Sequence, residues 1–291
     1  MTGNPLHAAN YADQAIQQKA TVVANEPVAR DIFRLRIACP EIAPRILPGQ
    51  FVMLRLTGTD DPLIGRAFAL YDTLLSSADI AEGIEVVYLV KGKFTRRLRG
   101  LGPGLQLDIW GPLGNGFAVQ AVDHLILVAG GIGQTPFVAV AQEALGLRQY
   151  GSPPRQAPKI PRVTLCFGAR SADQLAGVED FQRLGVDVQV ATEDGSRGHC
   201  GLVTDVLLQV LRDTPSTRSI LCCGPERMME AVARIAAHDR IPCAVSLESP
   251  MACGIGICFS CVVRIADDAG AWDYRRSCVE GPVFDATRVR W

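Results

Sequence analysis

Four cysteines near the end of this 291-residue chain, Cys253, Cys258, Cys261 and Cys278, follow the spacing C-x4-C-x2-C-x16-C. Thiolates at this spacing suit a [2Fe–2S] cluster, which takes four sulfur ligands. Gly254 and Gly256 interleave with the ligands, and residues without a Cβ let a loop turn tightly and bring N–H groups close to sulfur. Other chemistries compete for the same side chains. Structural zinc usually takes two C-x(2–4)-C knuckles, and only Cys258 and Cys261 are paired in that way. Disulfides need an oxidising compartment, to which nothing in the chain points. Four unrelated buried thiols would not call for the interleaved glycines. The pattern favours iron and sulfur.

A second set of residues could hold phosphates. Gly130-Gly131-Ile132-Gly133-Gln134-Thr135-Pro136 follows an apolar run. It is not the G-x-G-x-x-G fingerprint, because proline takes the third glycine's place. Pro136 instead suits a first helical turn, where no N–H is needed. The backbone at Gly131 and Gly133 can still approach a pyrophosphate, whose charge a helix N-terminus favours. Read alone, the segment is equally a plain tight turn. Cys223-Gly224-Pro225 is a second strand-to-helix turn. Ligands of open parallel sheets bind beyond the carboxyl ends of the strands, so both turns would border one crevice. Met228 and Met229 read as core residues. Arg66 could offer a fixed cation to a phosphate, and Lys91-Gly92-Lys93-Phe94-Thr95 offers backbone donors and a hydroxyl. Singly, each of these also reads as surface.

The elements that must position these groups fall into two grammars. From Ala20 to Trp110, six short β-type runs are separated by Pro and Gly: 21–23, 32–37, 51–56, 67–71, 84–90 and 105–109. Phe33, Leu35 and Ile37 alternate with Arg34 and Arg36, the mark of a sheet with one wet face. Strands at this spacing predict a small antiparallel all-β barrel. After Gly111 strands alternate with helices. Apolar runs lie at 124–129, 163–167, 186–191, 219–223 and 244–247, with helical segments near 137–145, 173–184, 204–212 and 226–238. Continuous apolar strands between helices predict an α/β domain with a parallel sheet covered on both faces. The proline-rich stretch 149–161 is then a loop inside that domain. The expected division is an N-terminal extension over 1–19, the barrel domain over 20–118, the α/β nucleotide-binding domain over 119–248 and the C-terminal cluster loop segment over 249–291.

Composition bounds the partners. Lys plus Arg, 29, almost balances Asp plus Glu, 30, so no nucleic-acid partner is indicated. The N-terminus has no basic region followed by an apolar run, and no stretch approaches a membrane span. A cytoplasmic protein without a membrane partner is expected. The other six cysteines, Cys39, Cys166, Cys200, Cys222, Cys223 and Cys243, mostly sit in apolar runs and read as small core residues.

Taken together, Gly111-Pro112-Leu113-Gly114-Asn115-Gly116-Phe117, the two later turns and the cysteine block ending Cys278-Val279-Glu280-Gly281-Pro282-Val283-Phe284 resemble the ferredoxin-reductase family of flavoproteins. Within it they resemble the electron-transfer subunits of two-subunit, NAD-dependent bacterial dihydroorotate dehydrogenases. The resemblance covers about Thr21 to Trp291. It implies FAD on the barrel, held at Arg66, Ala67, Phe68, Ala69 and Leu70 and at Val90, Lys91, Gly92, Phe94 and Thr95. NAD is implied at Gly130, Gly131, Gly133, Cys223, Gly224 and Pro225, and the [2Fe–2S] cluster at the four cysteines. One departure stands out. The family commonly has proline after the arginine and a serine or threonine two residues later, where this chain has Ala67 and Ala69.

Electron counting gives the implied circuit. A nicotinamide exchanges two electrons as hydride and a cluster of this type one at a time, so flavin is the necessary intermediary. The resemblance implies a partner, the FMN-containing catalytic subunit that oxidises dihydroorotate in pyrimidine biosynthesis. Its electrons would cross the cluster and FAD to NAD. The chain itself shows no acid–base constellation for dihydroorotate. Two alternatives stay open: the small subunit of another oxidoreductase of this fold, of ferredoxin–NADP, sulfide, hydrogenase or sulfite reductase type, and a non-catalytic redox sensor. The ferredoxin–NADP type usually carries aspartate in place of the first cluster cysteine, against which Cys253 argues. Gly168-Ala169-Arg170-Ser171 after the second parallel strand leaves NADP open, since an arginine there can accommodate a 2′-phosphate; a merely solvated Arg170 reads equally well.

Overall fold

Alternating apolar and polar residues organise the first half of the computed structural model, which describes residues 12–212 and 216–291. In chain order come β1 (Ile16–Ala29), β2 (Ile32–Ala38), β3 (Phe51–Leu56), β4 (Arg66–Ala69), β5 (Asp72–Leu75), β6 (Ala81–Leu89), the short helix α1 (Lys93–Leu98) and β7 (Gln106–Leu113). They form one seven-stranded sheet in the order β4-β3-β7-β1-β2-β6-β5. Every pairing is antiparallel, and the sheet curls into a half barrel. Its inward residues, among them Leu35, Ile37, Leu54, Ile84, Val86, Leu107 and Ile109, are buried in one cluster.

Two expectations about this half need correction. A seventh strand, β5, completes the sheet; four residues are too few to show alternation. The first strand also begins at Ile16, inside the expected extension, because Gln17, Gln18 and Lys19 pair with Trp110, Ile109 and Asp108 of β7. Polar side chains there hide the strand from a hydrophobic pattern. The part of the expected extension over residues 1–11 lies outside the described residues.

The second half contains β8 (His124–Gly130), α2 (Phe137–Ala144), β9 (Arg162–Ala169), α3 (Val178–Arg183), β10 (Asp187–Thr192), β11 (His199–Cys200), α4 (Val203–Arg212), β12 (Arg218–Cys223), α5 (Glu226–His238) and β13 (Cys243–Ser246). The chain ends with β14 (Val262–Ala266), β15 (Trp272–Arg276) and β16 (Val283–Asp285). The second sheet runs β11-β10-β9-β8-β12-β13-β16, parallel except for β16, which returns antiparallel to β13. Side chains of a strand alternate between faces. Leu125, Leu127 and Ala129 of β8 therefore meet α2 and α3, while Ile126 and Val128 meet α4 and α5. The helix expected over 173–184 is shorter: a 3-10 turn at Ala172–Gln174 precedes α3. Gly177, at φ 80°, breaks the path between them. β14 and β15 form a separate hairpin. Among the described residues no helix is long and apolar enough to cross a membrane.

The two halves meet through Tyr71, Val87 and Phe117, which join the α2 side of the parallel sheet in one core. Asp72 of β5 accepts hydrogen bonds from Gln142 Nε2 (2.7 Å), Arg148 Nη1 (2.5 Å) and Tyr150 Oη (2.9 Å). Asp180 of α3 accepts from Tyr71 and Arg34 of the barrel. Burial beside Asp180 pushes the Tyr71 phenol up, so it stays a donor.

Candidate functional site

The cysteine loop joins β13 to the β14–β15 hairpin and lies against the outside of the barrel. Its turns need left-handed backbone, supplied at Gly254 (φ 74°) and Gly256 (φ 79°). A Cβ on Gly254 would stand 2.6 Å from Met53 Cγ, so the loop presses onto β3. Phe51, Met53 and Leu113 form one buried cluster with Cys261, Cys278 and Val279, and Trp110 and Ile255 pack on it.

The four thiols come as two pairs. Cys261 Sγ and Cys278 Sγ lie 3.2 Å apart and are buried. Cys258 hydrogen-bonds to Cys253 and to the Ser260 hydroxyl, the latter at 3.1 Å. The Ile255 N–H donates to Cys253 Sγ at 3.4 Å. Among the described residues no three His, Cys, Asp or Glu side chains converge on a single ion site. Ligands that come in two pairs suit a binuclear cluster, in which each iron takes two protein ligands. Acidity follows the same division. The Ser260 hydroxyl lowers Cys258 to about 6, and the thiol hydrogen bond from Cys278 lowers Cys261 to about 6. Cys278, which keeps the shared proton, is raised. Elsewhere burial pushes Cys39, Cys166, Cys223 and Cys243 up to about 12 and raises Cys222. Thiolates are the metal ligands, and Cys258 and Cys261 form them more readily than the buried thiols elsewhere. All ten cysteines are free, and of the other six all but the exposed Cys200 are buried, as expected of core residues.

On the barrel, Ala67 of β4 is the register partner of Met53, and Ala69 that of Phe51. Cross-strand partners share a face, so the side of β4 that carries the two alanines continues the layer supporting the cysteine loop. Arg66 and Ala67 are exposed and Ala69 is half-buried. Arg66 Nη1 donates to the Ile64 and Gly65 carbonyls at 3.0 and 2.9 Å. Phe68 and Leu70 point the other way into the core, Phe68 against Tyr88 and Phe94. For Phe68, Leu70 and Phe94, backbone rather than side chain is left to meet a ligand. Val90 is half-buried, and Lys91 and Gly92 are exposed. The Lys91 and Gly92 N–H groups donate to Thr95 Oγ1 at 2.9 and 3.1 Å, closing the start of α1.

The two glycine turns leave neighbouring parallel strands, β8 and β12, paired at Ala129 and Cys223. They touch. A Cβ on Gly133 would stand 2.3 Å from the Cys223 carbonyl oxygen, and one on Gly130 2.7 Å from Pro225 Cδ. Gly131, at φ 53°, has open space above it. Gly130, Gly131, Gly133, Cys223, Gly224 and Pro225 are thus brought together at the carboxyl edge, the place where such sheets take their ligands. Met229 is core, while Met228 packs its sulfur on Gly130. Arg170 is exposed at the end of β9.

Three contributors escape sequence reasoning. Trp110 Nε1 donates to the Cys253 carbonyl at 2.9 Å. Asn115 exchanges hydrogen bonds with Val283, at 2.7 and 3.1 Å, tying the barrel's end to β16. The Asp72 and Asp180 hubs fix one half against the other. Only Asn115, inside the quoted turn, carried a local signal.

Comparison with known proteins agrees with this geometry. The family model for the oxidoreductase FAD-binding domain matches residues 19–117 and that for the oxidoreductase NAD-binding domain residues 127–234. The iron–sulfur cluster binding domain of dihydroorotate dehydrogenase B matches residues 248–290. The fold is that of a ferredoxin-reductase-like flavin and nicotinamide oxidoreductase, extended by an iron–sulfur segment. The chain is 33% identical over 273 residues to the dihydroorotate dehydrogenase B (NAD(+)) electron transfer subunit of Desulforamulus reducens, covering 94% of this chain and 97% of that protein. It is 31% identical to the corresponding subunit of Caldanaerobacter subterraneus subsp. tengcongensis, covering 94% and 98%. A solved structure of NADH-dependent reduced ferredoxin-NADP oxidoreductase superposes with TM-score 0.77 at 28% identity, over 94% of this chain and 90% of that one. The chain belongs to the family of dihydroorotate dehydrogenase B electron transfer subunits.

Proposed function

We infer that this chain links a partner subunit's dihydroorotate-oxidising site to NAD+. The observation that carries the reading is the shared layer: paired thiols rest on Phe51 and Met53, whose strand partners are Ala69 and Ala67. Bound flavin supplies the exchange between one-electron and two-electron chemistry. Cys253, Cys258, Cys261 and Cys278 would hold the cluster. Arg66 to Leu70 and Val90 to Thr95 would hold FAD, and the two touching turns would hold the pyrophosphate of NAD against oriented N–H groups. With Ala67 and Ala69 in place, side-chain hydroxyls do not orient flavin on β4; backbone and shape do.

The partner in this reading is an FMN-containing dihydroorotate dehydrogenase subunit docking over the cluster loop. Ile257 is 68% and Phe259 60% exposed beside Cys258, and exposed apolar groups together mark an interaction surface. Ten free thiols suit a reducing compartment, which supports a cytoplasmic setting. The likeness to the ferredoxin–NADP oxidoreductase, with Arg170 exposed just past the end of β9, supports a second reading in which NADP is the nucleotide. Copurification with the candidate FMN subunit and assay of dihydroorotate-dependent reduction of NAD+ and NADP+ separates them. Reduction of neither by a complex fully loaded with FAD and iron would refute both.

A further inference from the structure

Trp110 sits in β7, outside every segment so far given a cofactor role. It is the register partner of Met53, which is in turn the partner of Ala67. The row Ala67, Met53, Trp110 therefore crosses three adjacent strands on one face, about 10 Å from end to end at the ordinary strand spacing. At one end of the indole, Nε1 donates to the Cys253 carbonyl at 2.9 Å. At the other, Cη2 lies over Gly65, where a Cβ would come within 2.7 Å. Gly65 immediately precedes Arg66. One rigid ring thus touches the first cysteine ligand and the start of the flavin-facing strand.

The rest of the loop is held differently. Arg276 Nη1 donates to the Gly256 carbonyl at 3.1 Å, and Ser260 Oγ accepts the Ala252 N–H at 3.1 Å; both bonds stay within the cysteine segment. Beside Cys253, the indole, Arg55 and Ile255 border a cavity of about 490 Å³, so where Gly254 rests on Met53 the indole N–H adds a directional hold on the open side of the loop.

We propose that Trp110 is a positioning residue, fixing the Cys253 end of the cluster loop relative to the strand that faces the flavin. The inference rests on the site assignments of the proposed function. Gly65 gives the ring its room, and the indole N–H gives the loop its anchor. Electron transfer between two bound groups depends on their separation, so loosening the anchor slows that transfer more than it slows hydride transfer at the flavin.

The test uses the complete complex with its FMN subunit. Trp110→Phe keeps a ring over Gly65 but removes the donor; Trp110→His restores a ring N–H. In Trp110→Phe, amide hydrogen exchange over residues 252–256 should quicken about fivefold, the worth of one ordinary hydrogen bond. After anaerobic mixing with NADH, bleaching of the cluster absorbance should then lag flavin reduction more than in wild type. Trp110→His should recover part of both. Exchange and lag equal to wild type in a Trp110→Phe complex with full iron and FAD would overturn the proposal. A wild-type complex that binds no iron would instead defeat the underlying site assignment. If Trp110→Phe fails to fold, Trp110→His decides alone: loop exchange as fast as that of a cluster-free loop would overturn the proposal, and retained protection would support it.

Discussion

Cys261 and Cys278 are 17 positions apart in sequence, yet their sulfurs lie 3.2 Å apart in one buried cluster with Val279. The hairpin of β14 and β15 makes that meeting, because Val262 pairs with Arg276 directly beside the two cysteines. The other pair, Cys253 and Cys258, is brought together by a stretch of six residues turned at two glycines.

Replacing one ligand should dissect the circuit. Cys258→Ser is expected to abolish the visible cluster signal and uncouple dihydroorotate oxidation from NAD+ reduction. NADH reduction of an artificial acceptor through flavin should persist in part. Absorption spectra and the two assays on one preparation check this; both activities at wild-type level would remove the cysteine block from the route.

The touching turns predict contrasting glycine variants. Gly133→Ala must push apart the Gly133 and Cys223 backbones, which leave 2.3 Å for a Cβ. It should destabilise the protein by about 1–3 kcal/mol. Gly131→Ala meets no atom but stands at φ 53°, a cost of about 1–2 kcal/mol, and its methyl covers the crevice. It should raise KM for NADH with kcat unchanged, the mark of lost uniform binding. Denaturant melts and diaphorase kinetics on both variants separate the two effects; an unaltered KM in Gly131→Ala would move the pyrophosphate elsewhere.

Asp72 joins the halves through three donors, with Asp72 and Arg148 side chains only 20% and 15% exposed. Asp72→Ala leaves those donors unsatisfied and should cost about 2–4 kcal/mol. Chemical denaturation with tryptophan fluorescence reads it; a loss below about 1 kcal/mol would mean solvent already screens the hub.

His124 predicts a pH dependence. Burial first, then the Arg162 and Arg218 cations, lowers it from 6.5 to about 4, against a small opposing pull from Asp187. The folded chain keeps the ring neutral while the unfolded chain protonates it. The group's stabilisation is therefore full above about pH 6.5 and is lost as pH falls toward 4, by about 2–3 kcal/mol. In His124→Leu that loss is absent, so the stability difference from wild type should shift in the variant's favour over this window. Parallel curves would contradict it.

What could be read from sequence was local. The C-x4-C-x2-C run packs three ligands into nine residues, and each glycine turn sits between its own strand and helix. The alternation of Phe33, Leu35 and Ile37 shows one wet face because a strand's period is two. The Asp72 partners lie 70 to 78 positions away, and Trp110 lies 143 from Cys253. No spacing rule reaches that far. β5 and the start of β1 were hidden by brevity and polarity, and the expected helix over 173–184 is broken at Gly177.

The most direct test of the whole account is dihydroorotate-dependent reduction of NAD+ by this chain copurified with its candidate FMN subunit. NADH formation should require both subunits and disappear when the cluster is removed. A complex carrying full FAD and iron that oxidises dihydroorotate yet forms no NADH would contradict it.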